Sequence, residues 1–456
     1  MSFLDRVKSW FEPHRRLQPG IYHYQTPPDA PQQYRLHLRI EKDGHGVLLI
    51  NAARVLHLNQ TAAEHAKLLL EGKSDLEAAQ EIARRYDVPL TTARADFEEL
   101  QQAITEIAEG GEEICPVSYL DIARIEPMSA KLSAPYRMDL ALTYRCNNDC
   151  RHCYNARLRT YPELSTQEWK KVIDRCWELS IPHLIFTGGE PTLREDLAEL
   201  IRYAENNGQI TGLNTNGRRL RDENYVKELV DAGLDHVQIT LESHLEEIHD
   251  QMVNLPGAWV QTVAGLQNAL NSPLYVMTNT TMLKDNFRTI GKTLDFLGEL
   301  GVPTVGLNAL IYSGRGKDVG TGLSEDELKP LLTLAKQKTQ DLGQKLIWYT
   351  PTLYCHFNPL EMDLGIKGCT AALYNMCVEP DGGVIPCQSY YHQLGNLLHD
   401  SWKSIWEHDL ALKLRERSYV PDECQTCSLL EECGAGCPLA YAEQPRKLDP
   451  IIPPAN

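Results

Sequence analysis

Ten of the thirteen cysteines fall in three groups, and their spacing is the strongest chemical signal in the chain. Cys146, Cys150 and Cys153 form Cys-x3-Cys-x2-Cys within TYRCNNDCRHCYN. Three thiolates on one short loop can ligate three irons of a four-iron cluster, leaving the fourth iron open to a substrate or cofactor. A zinc site or three incidental thiols is the competing reading. Cys369, Cys377 and Cys387 follow, then Cys424-x2-Cys427-x5-Cys433-x3-Cys437, whose Cys-x2-Cys pair suits a zinc ribbon as well as iron. Cys176, in VIDRCWEL, reads as a packed apolar thiol. Cys115 and Cys355 stand at segment junctions and could each be a ligand or a thiol that holds an intermediate.

Bulk properties narrow the setting. A chain of 456 residues is long for one core, and at roughly 100 to 200 residues per domain it predicts about three. A formal net charge of -17 opposes a polyphosphate, so no nucleic acid is expected as a partner. No stretch approaches the roughly 18 uninterrupted apolar residues of a membrane span. The start, MSFLDRVKSWFEPHRR, carries charges where an export signal would carry an apolar core. Both point to the cytoplasm, where clustered thiols are more often metal ligands than disulfides.

The elements that must position these thiols change in kind along the chain. Residues 34–42 alternate apolar and polar, and GVLLINA and RVLHLN continue as strands. Helical stretches follow at TAAEHAKLLLEG, SDLEAAQEIARRY and TTARADFEELQQAITEIAE, with Thr61, Ser74 and Thr91 expected as caps. The pattern is winged-helix-like and defines a first domain, 1–115. From Arg137 strands alternate with helices, which predicts parallel strands with crossover helices. Strands are expected near 137–144, 183–187, 210–215, 236–242, 275–283 and 304–311. Helices are expected near 166–180, 194–206, 222–232, 260–271, 286–300 and 324–342. Six such units make an α/β fold, a partial (β/α)6 barrel over 130–345, with the first cysteine loop where barrels place their chemistry. Residues 346–456 are irregular and cysteine-dense, a segment that needs metal to fold stably.

The cysteine loop together with this barrel resembles the radical S-adenosylmethionine superfamily. The resemblance implies that the open iron chelates the amino and carboxylate groups of S-adenosylmethionine. One electron then yields a 5'-deoxyadenosyl radical that takes hydrogen from substrate. Further stretches match in order at the strand ends: FTGGEP with Gly188, Gly189, Glu190 and Pro191, expected at the methionine amino group; LNTNG with Asn214 and Asn216; and TLES with Glu242 or Ser243 for ribose or carboxylate contacts. YSGRG offers Arg315 as an anion partner. No catalytic side chain is singled out.

The cysteine-rich end resembles the SPASM extension, which carries auxiliary iron-sulfur clusters. By position, Cys369, Cys377, Cys387 and Cys437 would ligate the first, and Cys424, Cys427 and Cys433 the second. The family's last cysteine is missing, since no thiol follows Cys437. The expectation is a non-cysteine or open fourth site.

Residues 34 to about 109 are similar to the leader-binding domain typified by the pyrroloquinoline quinone peptide chaperone. There an extended leader adds to the third strand and lies against the third helix. Here the edge would be Val55 to Leu58, facing the helix from Thr92 to about Glu106. That helix is acidic and would repel DNA. The implied activity is maturation of a ribosomally made precursor peptide, foremost through a thioether or carbon-carbon crosslink, with epimerisation, residue excision or decarboxylation open as well, and with ferredoxin or flavodoxin as electron donor. Alternatives are a cofactor-building enzyme, a chain whose clusters only transfer electrons, and a sulfatase-maturating enzyme, against which Gln388 stands where that type carries an Asp base.

Overall fold

The computed structural model describes residues 17–27, 29–51, 54–109 and 132–443. The chain divides into two compact units: the residues up to Ser133 with Glu178–Ser180, and the remainder. Cys115 lies outside the described residues.

In the first unit β1 (Gly20–Gln25), β2 (Arg35–Ile40), β3 (Gly46–Ile50) and β4 (Arg54–Leu58) form an antiparallel sheet in the order β1-β2-β3-β4. Three helices follow, α1 (Gln60–Leu70), α2 (Asp75–Tyr86) and α3 (Leu90–Glu109). Alternate strand residues Leu36, Leu38, Leu48 and Leu56 share a core with Ala63 and Ala66 of α1 and Ile104 and Ile107 of α3. A second core joins Leu68 to Ala78, Ile82 and Phe97. Strand β1 was not expected. Two of the three caps also differ. Ser74 forms a full capping box with Glu77, but Asn59 caps α1 by accepting from the Ala62 N–H, which leaves Thr61 inside that helix. Thr91 likewise lies inside α3. Asn59 is the cap because it stands just before the first helical residue, from where its side chain reaches the third N–H of the first turn.

The second unit is strand-helix alternation. Its strands are β5 (Arg137–Thr143), β6 (His183–Gly188), β7 (Ile210–Thr215), β8 (His236–Thr240), β9 (Tyr275–Thr281), β10 (Thr304–Asn308) and β11 (Lys345–Trp348). Neighbours in this series pair in parallel. The helices are α4 (Thr166–Glu178), α5 (Leu197–Asn206), α6 (Glu223–Asp231), α7 (Glu246–Val253), α8 (Ala258–Leu270), α9 (Ile290–Glu299) and α10 (Glu325–Asp341). The expected partial barrel is present, with β11 and α7 as additions. One strand face is apolar and fully buried, through Leu140, Leu184, Phe186, Leu213, Val237 and Ile239. The alternating residues Asn214, Gln238 and Asn279 are polar and half-buried, and His236 on the same face is paired with His183 Nε2 at 2.9 Å.

The sheet does not stop at the barrel. Strand β12 (Asn375–Val378) pairs in parallel with β5, and β13 (Gly383–Ile385) and β14 (Gly395–Asn396) extend it antiparallel. Cys377 thereby lies beside Asp139 in the sheet. Short helices α11 (Trp402–Trp406), α12 (Asp409–Arg415), α13 (Leu430–Cys433) and α14 (Pro438–Glu443) complete the cysteine-rich end.

Candidate metal and cofactor site

The cysteine loop leaves β5 and is held by nearly every strand end around it. At the β6 exit, Gly189 N–H donates to Thr143 O at 2.7 Å and Glu190 N–H to Arg145 O at 2.8 Å. A Cβ on Gly188 or Gly189 would sit 2.2 Å or 2.4 Å from carbonyl oxygens of Thr143 and Arg145, so no other residue allows this approach. At the β7 exit, Asn216 Nδ2 donates to Asn147 Oδ1 at 2.7 Å and Arg218 Nη1 to Asn148 Oδ1 at 2.9 Å. The N–H groups of Asp149 and Arg151 donate to Val253 O and Met252 O at the end of α7, each at 3.0 Å. After β10, Arg315 N–H donates to Cys153 O at 2.9 Å and its guanidinium pairs with Asp149 at 2.9 Å. Hydrogen bonds from Arg315 and Asn254 hold the Asp149 carboxyl below the ordinary range.

Two buried carboxylates support the loop from inside. Glu190 accepts four hydrogen bonds, from Thr192 N–H at 3.1 Å, Thr192 Oγ1 and Thr215 Oγ1 at 2.7 Å each, and Asn216 N–H at 2.8 Å. It therefore joins the ends of β6 and β7. Glu242 pairs with His152 Nε2 at 3.0 Å and accepts from Thr281 N–H at 2.9 Å, fixing the residue next to Cys153. Ser243 is fully buried; its hydroxyl accepts from Leu245 N–H at 3.1 Å and lies 3.3 Å from Thr289 Oγ1. Pro191 is buried at the start of a single 3-10 turn. Of the residues expected at the cofactor, Asn214 sits on the polar strand face, whereas Glu190, Asn216, Glu242 and Arg315 grip the cysteine loop itself. Asn147, Asn148, Asp149, His152, Arg159 and Arg218 take part in the same network, and sequence reasoning gave them no such role. Arg159, for example, donates to Cys146 O at 2.9 Å and Asn148 O at 2.6 Å.

The thiols group as a cluster-binding protein requires. Cys146, Cys150 and Cys153 lie within electrostatic reach of one another. Burial, reinforced by Glu190, raises Cys146 to about 11, so bound iron would supply the positive charge that the site withholds from its thiolates. Cys369, Cys387 and Cys437 form a second group, joined by Cys377 through Cys387. Cys424, Cys427 and Cys433 form a third. Among the described residues no three His, Cys, Asp or Glu side chains converge on a single-ion site. Zinc would need all its donors within about 2.0–2.3 Å of one point. A four-iron cluster asks less of each triad, since each iron takes one thiolate. Cys176 is fully buried as a packing residue. Gln388 accepts from Tyr154 Oη at 3.1 Å. Arg157 forms a two-pronged pair with fully buried Glu379 at 2.7 and 2.8 Å, tying the segment after the first loop to the turn after β12.

A parallel half barrel whose first strand feeds a clasped three-thiol loop, with further thiol groups beyond its last strand, is the frame of an enzyme with iron-sulfur clusters. Family models match three stretches: the Radical SAM superfamily over residues 140–297, the SPASM iron-sulfur cluster-binding domain over 369–428, and coenzyme PQQ synthesis protein D over 46–106. The Fe-coproporphyrin III synthase of Methanosarcina barkeri (strain Fusaro / DSM 804) is 31% identical over 322 residues, 64% of this chain and 80% of that one. The PqqA peptide cyclase of Rhizobium meliloti (strain 1021) is 27% identical over 336 residues, 70% of this chain and 88% of that one. Among solved structures, Streptococcus suis SuiB bound to precursor peptide SuiA has a TM-score of 0.67 at 14% identity, covering 94% of this chain and 97% of that chain, a likeness of fold. The chain belongs to the radical S-adenosylmethionine superfamily. Within it the chain is a SPASM-type enzyme whose cofactors are S-adenosylmethionine and iron-sulfur clusters. No helix among the described residues is long and apolar enough to cross a membrane.

Proposed function

We propose that this enzyme matures a ribosomally made precursor peptide, binding its leader at the first unit and modifying its core portion at the half barrel. The carrying observation is that β4 is an edge of the first sheet among the described residues, with Val55 exposed. An unpaired edge offers a row of backbone donors and acceptors to an incoming strand. The coenzyme PQQ synthesis protein D match over 46–106 includes this edge and most of α3, and relatives such as the PqqA peptide cyclase act on peptides by name. Cys146, Cys150 and Cys153 would hold a cluster that binds S-adenosylmethionine, and that pair would supply hydrogen-atom abstraction once the cluster is reduced by a donor such as ferredoxin or flavodoxin. The chain's own residues keep the loop rigid through Glu190 and Glu242 and line the substrate face with Asn214, Gln238 and Asn279. The product is a thioether or a carbon-carbon crosslink.

A second reading, a cofactor-building enzyme, is favoured by the similarity to the Fe-coproporphyrin III synthase. Anaerobic co-expression with a short peptide encoded beside this gene decides between them. A crosslink removes two hydrogen atoms, lowering the peptide mass by about two units; an unchanged peptide with turnover on a porphyrin would sink the peptide reading.

A further inference from the structure

We propose that Cys355 is the fourth ligand of the auxiliary cluster held by Cys424, Cys427 and Cys433. The inference rests on the cluster assignment above and deepens it.

Cys437 groups with Cys369 and Cys387 and so belongs to the other auxiliary centre. The 424–433 stretch thus supplies three thiols to a centre with four irons. The missing donor comes from the strap that follows β11. Tyr354 N–H donates to Cys433 Sγ at 3.4 Å, and the same sulfur lies 3.5 Å from the Thr352 carbonyl oxygen. Leu353 and Tyr354 are buried in one apolar cluster with Val420, Cys433 and Ala435, against which Cys424, Leu429 and Leu430 pack. Gly436 packs beside Leu353 as well, a Cβ there falling at ordinary contact distance, 3.4 Å, from its side chain. Cys355 is the next residue on this strap and lies within electrostatic reach of both Cys433 and Cys424. It is exposed rather than packed into a core, so hydrophobic burial does not account for a thiol at this position.

Two other donors lie near in sequence, His356 Nε2 and Glu432 Oε2, both buried without a hydrogen-bond partner among the described residues. Thiolate is the softer ligand and the one iron-sulfur clusters select. In this proposal sulfur closes the site that the sequence left open or non-cysteine, so that no iron of this cluster is left open to substrate.

The test uses the full chain with alanines at 146, 150 and 153, so that the iron counted belongs to the auxiliary sites. After anaerobic reconstitution, Cys355→Ala is expected to lose about four irons per chain, or about one with the signal of an oxidised three-iron cluster in electron paramagnetic resonance. Cys424→Ala should lose a whole cluster, whereas His356→Ala and Glu432→Gln should keep full iron. Cys355→Ser, an oxygen ligand, should retain iron with a shifted spectrum of the reduced cluster. Full iron and an unchanged spectrum in both Cys355 variants would overturn the assignment, as would iron loss confined to His356→Ala or Glu432→Gln. Unchanged iron in Cys424→Ala as well would show instead that the underlying cluster is absent. Should Cys355→Ala be insoluble, the spectrum of Cys355→Ser decides alone.

Discussion

Glu242 and His152 illustrate how single side chains hold the cysteine loop in place. The carboxylate is almost fully buried and its bonds run to the His152 ring and the Thr281 amide. Breaking such a pair from one side leaves a buried partner unsatisfied, at a cost of roughly 3 kcal/mol. Glu242→Leu is expected to lower the melting temperature and to speed removal of iron by a chelator, because Cys153 adjoins the freed histidine. A chelation rate equal to that of the unaltered protein would contradict this. His236 gives a pH prediction. Burial, with Arg137 adding to it, lowers this imidazole to about 4. The unfolded chain therefore takes up the proton first as pH falls through about 6.5, and stability is lost between there and about 4. Compared with His236→Asn, the unaltered protein should lose up to about 3 kcal/mol more across that window, read from melts at stepped pH.

At the scale of elements, capping separates residues of the same type. Ser74→Ala removes the acceptor of the α2 capping box and should destabilise the first unit by about 1 kcal/mol, and Asn59→Ala should do the same at α1. Thr61→Ala and Thr91→Ala should stay within about 0.5 kcal/mol, since both lie inside helices. Denaturant melts of the four variants check the ranking, and equal losses for Thr61 and Asn59 would refute it. Propensity placed these helices to within a few residues. Strands β1 and β11 escaped because GIYHYQ and KLIW are short and carry weak alternation. Their pairing partners, rather than their own sequence, hold them extended.

At the scale of the whole molecule, the first unit has its own cores and its own sheet. Removing residues 1–131 is expected to leave 5'-deoxyadenosine formation with S-adenosylmethionine and reductant intact while abolishing peptide modification. Retained modification of a precursor peptide by the truncated enzyme would refute leader recognition at this unit. The cysteine-rich end behaves differently: its strands β12 to β14 continue the sheet of the half barrel, so it should not be separable without loss of both.

The amino-acid sequence by itself determined the grouping of the cysteines, the half barrel and the three helices of the first unit, and the Ser74 cap. Each of these is a local property of spacing or periodicity within a short window. Only the tertiary structure decided that Glu190, Asn216 and Arg315 clasp the cysteine loop, that the barrel sheet runs on through β12, and that the strap before Cys355 lies against Cys433. Those relations join residues distant along the chain, and the buried donors and acceptors that create them find partners only once the strand ends have been brought together.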